Sequence, residues 1–167
     1  IGVISSAGIG MLETDFEKSF SEANRRVLQR EIIRAKEMTK GIIGVNMLVA
    51  LSDYAELSKT AVAAGADLLF LGAGLPLKVP EIWPPGEWEK VTTKIVPIVS
   101  SARAARIIFQ SWQKNYHCVP DAVVVEGPLA GGHLGFKKEQ INDPAYTLEK
   151  IFPEVISVIK PFEQSSG

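Results

Sequence analysis

The chain has 167 residues and a formal net charge of −1, with 18 basic against 19 acidic side chains. That length can bury one sizeable core, and the balanced charge leaves no electrostatic footprint for nucleic acid or for an anionic membrane surface. A composition that is 46% hydrophobic and 22% charged is globular rather than disordered.

Five short apolar runs, rich in valine and isoleucine, occupy residues 1–4, 42–49, 68–71, 95–99 and 122–125. Their weak alternation with polar residues is the pattern of strands buried on both faces, as in a parallel sheet. Helical patterns lie between them. Thr14 or Asp15 is expected to cap a helix with Phe16, Phe20, Ala23 and Val27 on its apolar face. In that helix Arg25, Arg26, Arg30 and Arg34 alternate with acids and read as a solvated face. Ser52 or Asp53 is expected to cap the next, where Asp53 with Glu56 resembles a capping box and Gly65 is a terminator. The longest apolar stretch, around residues 61–77, is broken by Asp67, by glycines and by Pro76, which excludes a membrane span there.

Residues 75–89 hold Pro76, Pro80, Pro84 and Pro85 and read as loop with at most a short helical turn. Trp83 and Trp88 in this segment either cap a pocket or cover an edge of the core. Ser101 is expected to cap a helix that turns Ala102, Ala105, Ile108 and Trp112 inward. A last helix runs through Ile151, Val155, Ile159 and Phe162, with Pro153 expected in or near its first turn.

The order is therefore βα repeated, with chemistry expected at the carboxyl ends of the strands. At roughly 31 residues per unit, this length holds about five units of a (β/α)8 barrel. An open doubly wound sheet is the alternative. Residues 1–167 are expected to form one domain that is incomplete at both ends, because IGVISS opens as a buried strand and FEQSSG follows directly on a helical pattern. No basic-then-apolar leader is expected. The lone Cys118 permits neither an internal disulfide nor a cysteine metal cluster, and fits a reducing, cytoplasmic setting.

Small residues follow nearly every strand: SSAGIG, GAG, SS, and EG ahead of the glycine loop. They leave room for a flat ligand and let backbone amides reach it, although singly each also reads as a turn or cap. GAGLPL and AGIGML lack the third glycine of a dinucleotide fingerprint, and no GxxxxGK[ST] phosphate loop is present. His117 lies just before a strand, on the opposite rim, and reads as a surface histidine. His133 follows a strand on the active rim among Gly131, Gly132 and Gly135, where an imidazole can stand free for proton transfer near neutral pH. A turn histidine bonded to a carbonyl is the equal alternative from chemistry alone.

GVNMLVALSDY, DLLFLGAGLP, KIVPIVSSARAA and VVVEGPLAGGHLGF, in this order and at these spacings, resemble the nitronate monooxygenase family, also called 2-nitropropane dioxygenases. The flavin-dependent enoyl-acyl carrier protein reductases share much of the pattern. The AGGH stretch is the most specific piece, and the resemblance covers essentially the whole chain. It implies a (β/α)8 barrel that binds FMN, with this chain supplying strands two to six and the FMN phosphate held outside it.

By the same resemblance His133 matches the catalytic histidine, and Asn46 a residue near the flavin ring. Glu126 matches an acidic or polar residue beside the ribityl chain or ring edge, and Gly131 and Gly132 the backbone packed on the flavin. Ser100 and Ser101 stand where some members carry a lysine. The implied reaction is oxidation of an alkyl nitronate by O2 to a carbonyl compound and nitrite. NAD(P)H-dependent reduction of an enoyl thioester is the nearest rival, and flavin binding without turnover is a rival of another class. A phosphate-sugar or aldolase-type barrel without flavin is opposed by the lack of a lysine at a strand's carboxyl end, Lys94 lying at a strand start. No metal site is expected, and an oligomer is left open.

Overall fold

The computed structural model describes residues 1–132 and 135–163. Five strands form one sheet: β1 (Gly2–Ser5), β2 (Ile43–Leu48), β3 (Leu68–Gly72), β4 (Lys94–Val99) and β5 (Val124–Val125). Every pairing is parallel, and the spatial order is β1-β2-β3-β4-β5. A doubly wound sheet reverses its strand order partway across. Here each strand lies beside its predecessor, so the molecule is a partial (β/α)8 barrel and not the open alternative. No described helix is long and apolar enough to cross a membrane.

Four helices connect or follow the strands: α1 (Phe20–Met38), α2 (Tyr54–Ala63), α3 (Ala102–Tyr116) and α4 (Leu148–Glu163). The alternation of side chains along a strand decides what each face does. Ile43, Val45 and Met47 are buried, and Ser58 of α2 lies 4.0 Å from Met47 Sδ, so this set faces the helices. With Leu57, Leu69, Leu71, Ile95, Val99, Ile108 and Trp112 it builds the core between sheet and helices. The alternate residues of β2, among them Gly44 and Asn46, face the concave side. A Cβ on Gly44 would stand 2.6 Å from the Phe70 ring, so glycine there lets that ring lie across the sheet. Val3 on β1 is 54% exposed and Val124 on β5 is 37% exposed, so the concave face is only partly covered by the described residues.

The crossover from β3 to β4 contains no α-helix, only two 3-10 turns at Val79–Ile82 and Trp88–Lys90. Four prolines in this segment deny it the amides a longer helix needs. Aromatic side chains fill the space instead. Trp83 and Trp88 lie with ring centroids 5.4 Å apart, and Trp88 meets Trp112 of α3 edge-on at 5.8 Å. Trp112 Nε1 donates to the Pro76 carbonyl at 2.7 Å. The tryptophans therefore cover an edge of the core.

Helix starts depart from the sequence pattern in two places. α1 begins at Phe20 with Ser19 as its N-cap residue, not after Thr14 or Asp15. Residues 8–18 form successive tight turns, and the acids there pair with the helix. Asp15 accepts from Arg26 at 2.8 Å and Glu13 from Arg30 at 3.2 Å. Asp53 is the N-cap residue of α2, but its side chain makes no capping bond. It accepts instead from Asn24 Nδ2 at 2.9 Å, both residues being buried. Tertiary pairing has taken the carboxylate that the capping box needed. Elsewhere the local signals hold. Ser101 Oγ accepts from Ala104 N at 3.2 Å, and Gly65 follows the end of α2 at φ +83°. Pro153 is the sixth residue of α4, just past its first turn, on an exposed stretch where the carbonyl it leaves unpaired can meet water.

The amino ends of the strands share one device. Asp67, just before β3, accepts from the Ile43 amide at 2.7 Å and from Lys36. Asp121, before β5, accepts from the Ile95 amide at 2.9 Å and pairs with Lys94 at 2.9 Å. Each aspartate thus ties its segment to the opening amide of a neighbouring strand. The Lys36 ammonium, and after it the Ile43 amide, hold the Asp67 carboxyl below its ordinary value. A depressed folded-state pKa contributes stability above the unfolded-state value and loses it as pH falls through the folded one. The parent protein should therefore lose stability below about pH 4, and Asp67→Asn should lose less over the same interval. Urea unfolding at neutral and acidic pH compares the two slopes.

Candidate functional site at the carboxyl rim

The strand exits converge on a cavity of about 660 Å³, within the usual range for small-molecule sites. β1 contributes Ser5 and Ala7, β2 Asn46 and Leu48, and β3 Gly72, Gly74 and Leu75. From β4 come Ile98, Ser100 and Ser101, and from the exit of β5 come Glu126, Gly131, Gly132 and Gly135. Six sequence-predicted positions, Asn46, Ser100, Ser101, Glu126, Gly131 and Gly132, thus line one concavity despite wide separation along the chain. His133 lies outside the described residues.

The walls divide by chemistry. Leu48, Leu75 and Ile98 are apolar, while Ser5, Asn46, Ser100 and Glu126 supply polar groups. Asn46 sits on the concave face because it alternates with the helix-facing Val45 and Met47. Its backbone carbonyl accepts from Ser6 N at 3.0 Å and Ser6 Oγ at 2.9 Å, which holds the exit of β1 against β2. Ser101 Oγ is engaged as the cap of α3, so the amino end of that helix opens beside the cavity and favours negative charge there. Ser100 Oγ donates to Glu126 Oε2 at 3.4 Å, and the Gly135 amide donates to the same oxygen at 3.4 Å.

The loop after β1 is fixed from behind. Asn24 Oδ1 accepts from the Gly10 amide at 2.9 Å, and Asn24 Nδ2 donates to Asp53. A Cβ at Gly10 would stand 2.6 Å from the backbone of Ala23 and Asn24. The sequence reading missed this staple. Its only signal was an asparagine at a position of α1 that otherwise belongs to the apolar face with Phe20, Ala23 and Val27.

A larger cavity, about 760 Å³, opens near the amino end of β5 and is lined by Phe109, His117, Cys118, Asp121 and Ile159 among others. His117 is exposed and ends α3 in the left-handed conformation at φ +55°, in keeping with a surface histidine. Burial pushes the Cys118 thiol above its ordinary pKa, so it stays in the unreactive form. Asp121 is committed to Lys94 and the Ile95 amide. No group of three or more metal-ligating side chains occurs among the described residues. The polar side chains that converge from several strand ends lie at the carboxyl rim.

Backbone geometry at that rim is permissive by design. Gly132 has φ +85°, while Gly131 does not adopt a positive φ, and a Cβ at either would meet nothing within 4 Å. Open space over two consecutive glycines suits the face of a flat ligand. Ala73, at the exit of β3, holds φ +53° and so carries strain that glycine would not. Gly132→Ala should cost about 1–2 kcal/mol, Gly131→Ala should stay within about 0.5 kcal/mol, and Ala73→Gly should gain about 1 kcal/mol. Denaturant midpoints of the three variants, measured without added ligand, check the signs.

The comparisons with known proteins agree with this arrangement. The model of the family described as nitronate monooxygenase matches residues 22–160. No curated protein sequence matches the chain. Among solved structures, FabK from Thermotoga maritima is similar with a TM-score of 0.62 and 24% identity over 80% of this chain. A mutant of the same protein has the same TM-score and identity. The match covers 36% and 38% of those two chains respectively, so this chain spans little more than a third of their length. At that identity the likeness speaks for the fold, and the fold is the barrel described above. The family match covers β2 to β5, the asparagine and the glycine-rich loop, which together build most of the rim, and on that ground the chain belongs to the nitronate monooxygenase family.

Proposed function

We propose that the rim cavity is the isoalloxazine-binding part of an FMN-dependent oxidoreductase that oxidises small alkyl nitronates with O2, giving a carbonyl compound and nitrite. The observation that supports this reading most is the convergence of Asn46, Ser100, Ser101, Gly131 and Gly132 on one cavity with unfilled space above the two glycines. These residues fit a flat, polar-edged ring. The glycine backbone can lie against its face, while Asn46 and Ser100 can hydrogen-bond its edge, with Glu126 beside them. The FMN phosphate is assigned to no residue of this chain.

FMN supplies the electron transfer when bound, and the protein's share is orientation, exclusion of water and charge. The apolar side chains of Leu48, Leu75 and Ile98 give an alkyl group a dry wall, and a dry wall strengthens every polar contact made nearby. His133 is assigned, by its place in the AGGH motif, to take a proton alpha to a nitro group or to donate to the nitronate oxygens and stabilise their charge. Reduction of an enoyl thioester by NAD(P)H is the second reading. Those apolar walls favour it to the extent that they would also accept an acyl chain.

The intact protein should purify yellow, bleach on mixing with a nitronate without oxygen, and regain its colour in air. Turnover with an enoyl thioester and NADH but not with a nitronate would replace the first reading by the second, and a colourless protein that takes up no FMN would end both. A positioned acid or base is worth about 10²–10⁴ in rate, so His133→Ala should lose roughly that much in kcat. Turnover near the parent rate in that variant would remove His133 from the mechanism.

A further inference from the structure

We propose that Glu126 is a positioning residue, anchoring the far end of the glycine-rich loop to the barrel rim through a single carboxylate oxygen. Glu126 Oε2 accepts from both Ser100 Oγ and the Gly135 amide. Three segments meet at that atom: the exit of β4, the exit of β5 and the end of the loop. The backbone that bears the carboxylate is itself held, since the Glu126 amide donates to the Val99 carbonyl at 2.8 Å. The acceptor is thus presented from the sheet rather than from a swinging segment.

Gly135 shows why the loop can reach it. A Cβ there would stand 2.0 Å from Ser100 Oγ and 2.9 Å from Ser100 Cβ, closer than atoms can approach. The loop backbone packs directly onto Ser100, and any side chain at 135 would lift it off the carboxylate. A Cβ on Gly131 or Gly132 would meet no such neighbour, so of these three glycines only Gly135 is pressed against the rim. His133 stands two residues before the anchor in the sequence. Among the described residues Glu126 joins no ion pair, so its function here is that of a hydrogen-bond acceptor. An amide oxygen can do the same, which separates anchoring from any role that needs the charge.

The effect on turnover rests on the function proposed above, but the anchoring itself does not, and it is tested without flavin. Thermolysin digestion of the intact, flavin-free protein reads opening of the loop as cleavage between residues 127 and 137. Glu126→Ala should raise that rate about tenfold, the size expected for losing two ordinary hydrogen bonds at the weaker end of their range. Glu126→Gln should return most of the protection, and Ser100→Ala should give a smaller rise. Cleavage of Glu126→Ala at the parent rate, or of Glu126→Gln as fast as Glu126→Ala, would overturn the proposal. If Glu126→Ala does not fold, Gly135→Ala takes its place: faster cleavage supports the anchor, and an unchanged rate refutes it. Should the protein prove to take up no flavin, the cleavage result still decides the anchor.

Discussion

Parallel pairing of each strand with its predecessor constrains everything else in this molecule. A parallel neighbour can be reached only by a crossover, so every connection must return along one side of the sheet. The helices and the tryptophan-filled segment therefore gather on that side, and all five strands end on a single rim. Residues as distant in sequence as Ser5 and Gly135 come to line the same cavity for this reason. The amino rim becomes the place for stabilising devices, of which the Asp67 and Asp121 anchors are the clearest. The carboxyl rim is left free for chemistry.

Polar atoms are used differently at the two layers of the fold. In the interior, Asn24 and Asp53 spend their hydrogen bonds on one another and on Gly10. Burial without such partners would cost more than the bonds return, so this contact is a staple that commits α1, α2 and the first rim loop to one arrangement. At the rim, the Glu126 carboxylate is shared between Ser100 and a backbone amide while remaining at the edge of the cavity. The first arrangement shapes the wall from behind, and the second fastens the loop that carries the family's most specific motif.

The third crossover shows how one job can be done by two kinds of structure. A barrel expects a helix between β3 and β4, to shield Leu69, Leu71 and Ile95 from water. Prolines rule out a long one. Trp83, Trp88 and the buried Trp112 supply the apolar area instead, and the bond from Trp112 to the Pro76 carbonyl satisfies a donor that would otherwise be orphaned. Tyr116 adds a hydrogen bond to Glu81 in the same crossover, and partial burial together with that carboxylate raises the phenol to about 12.

Periodicity and local chemistry in the sequence determined the strands, the proline-broken crossover, the Ser101 cap and the Gly65 terminator, because each depends on residues within a few positions of one another. The motif resemblance singled out candidate residues one by one, and Asn46, Ser100, Ser101, Glu126, Gly131 and Gly132 line one cavity, while His133 lies outside the described residues. What the sequence left open was decided by contacts across the fold. Strand order, and with it the choice between barrel and doubly wound sheet, depends on which backbones pair. Asp53 reads as a cap until Asn24, 29 positions away, takes its carboxylate. Gly135 reads as one glycine among several until Ser100 is found where its side chain would have to be. A hydrogen bond or a steric limit between distant residues leaves no periodic trace in the chain, so only the tertiary structure could reveal it.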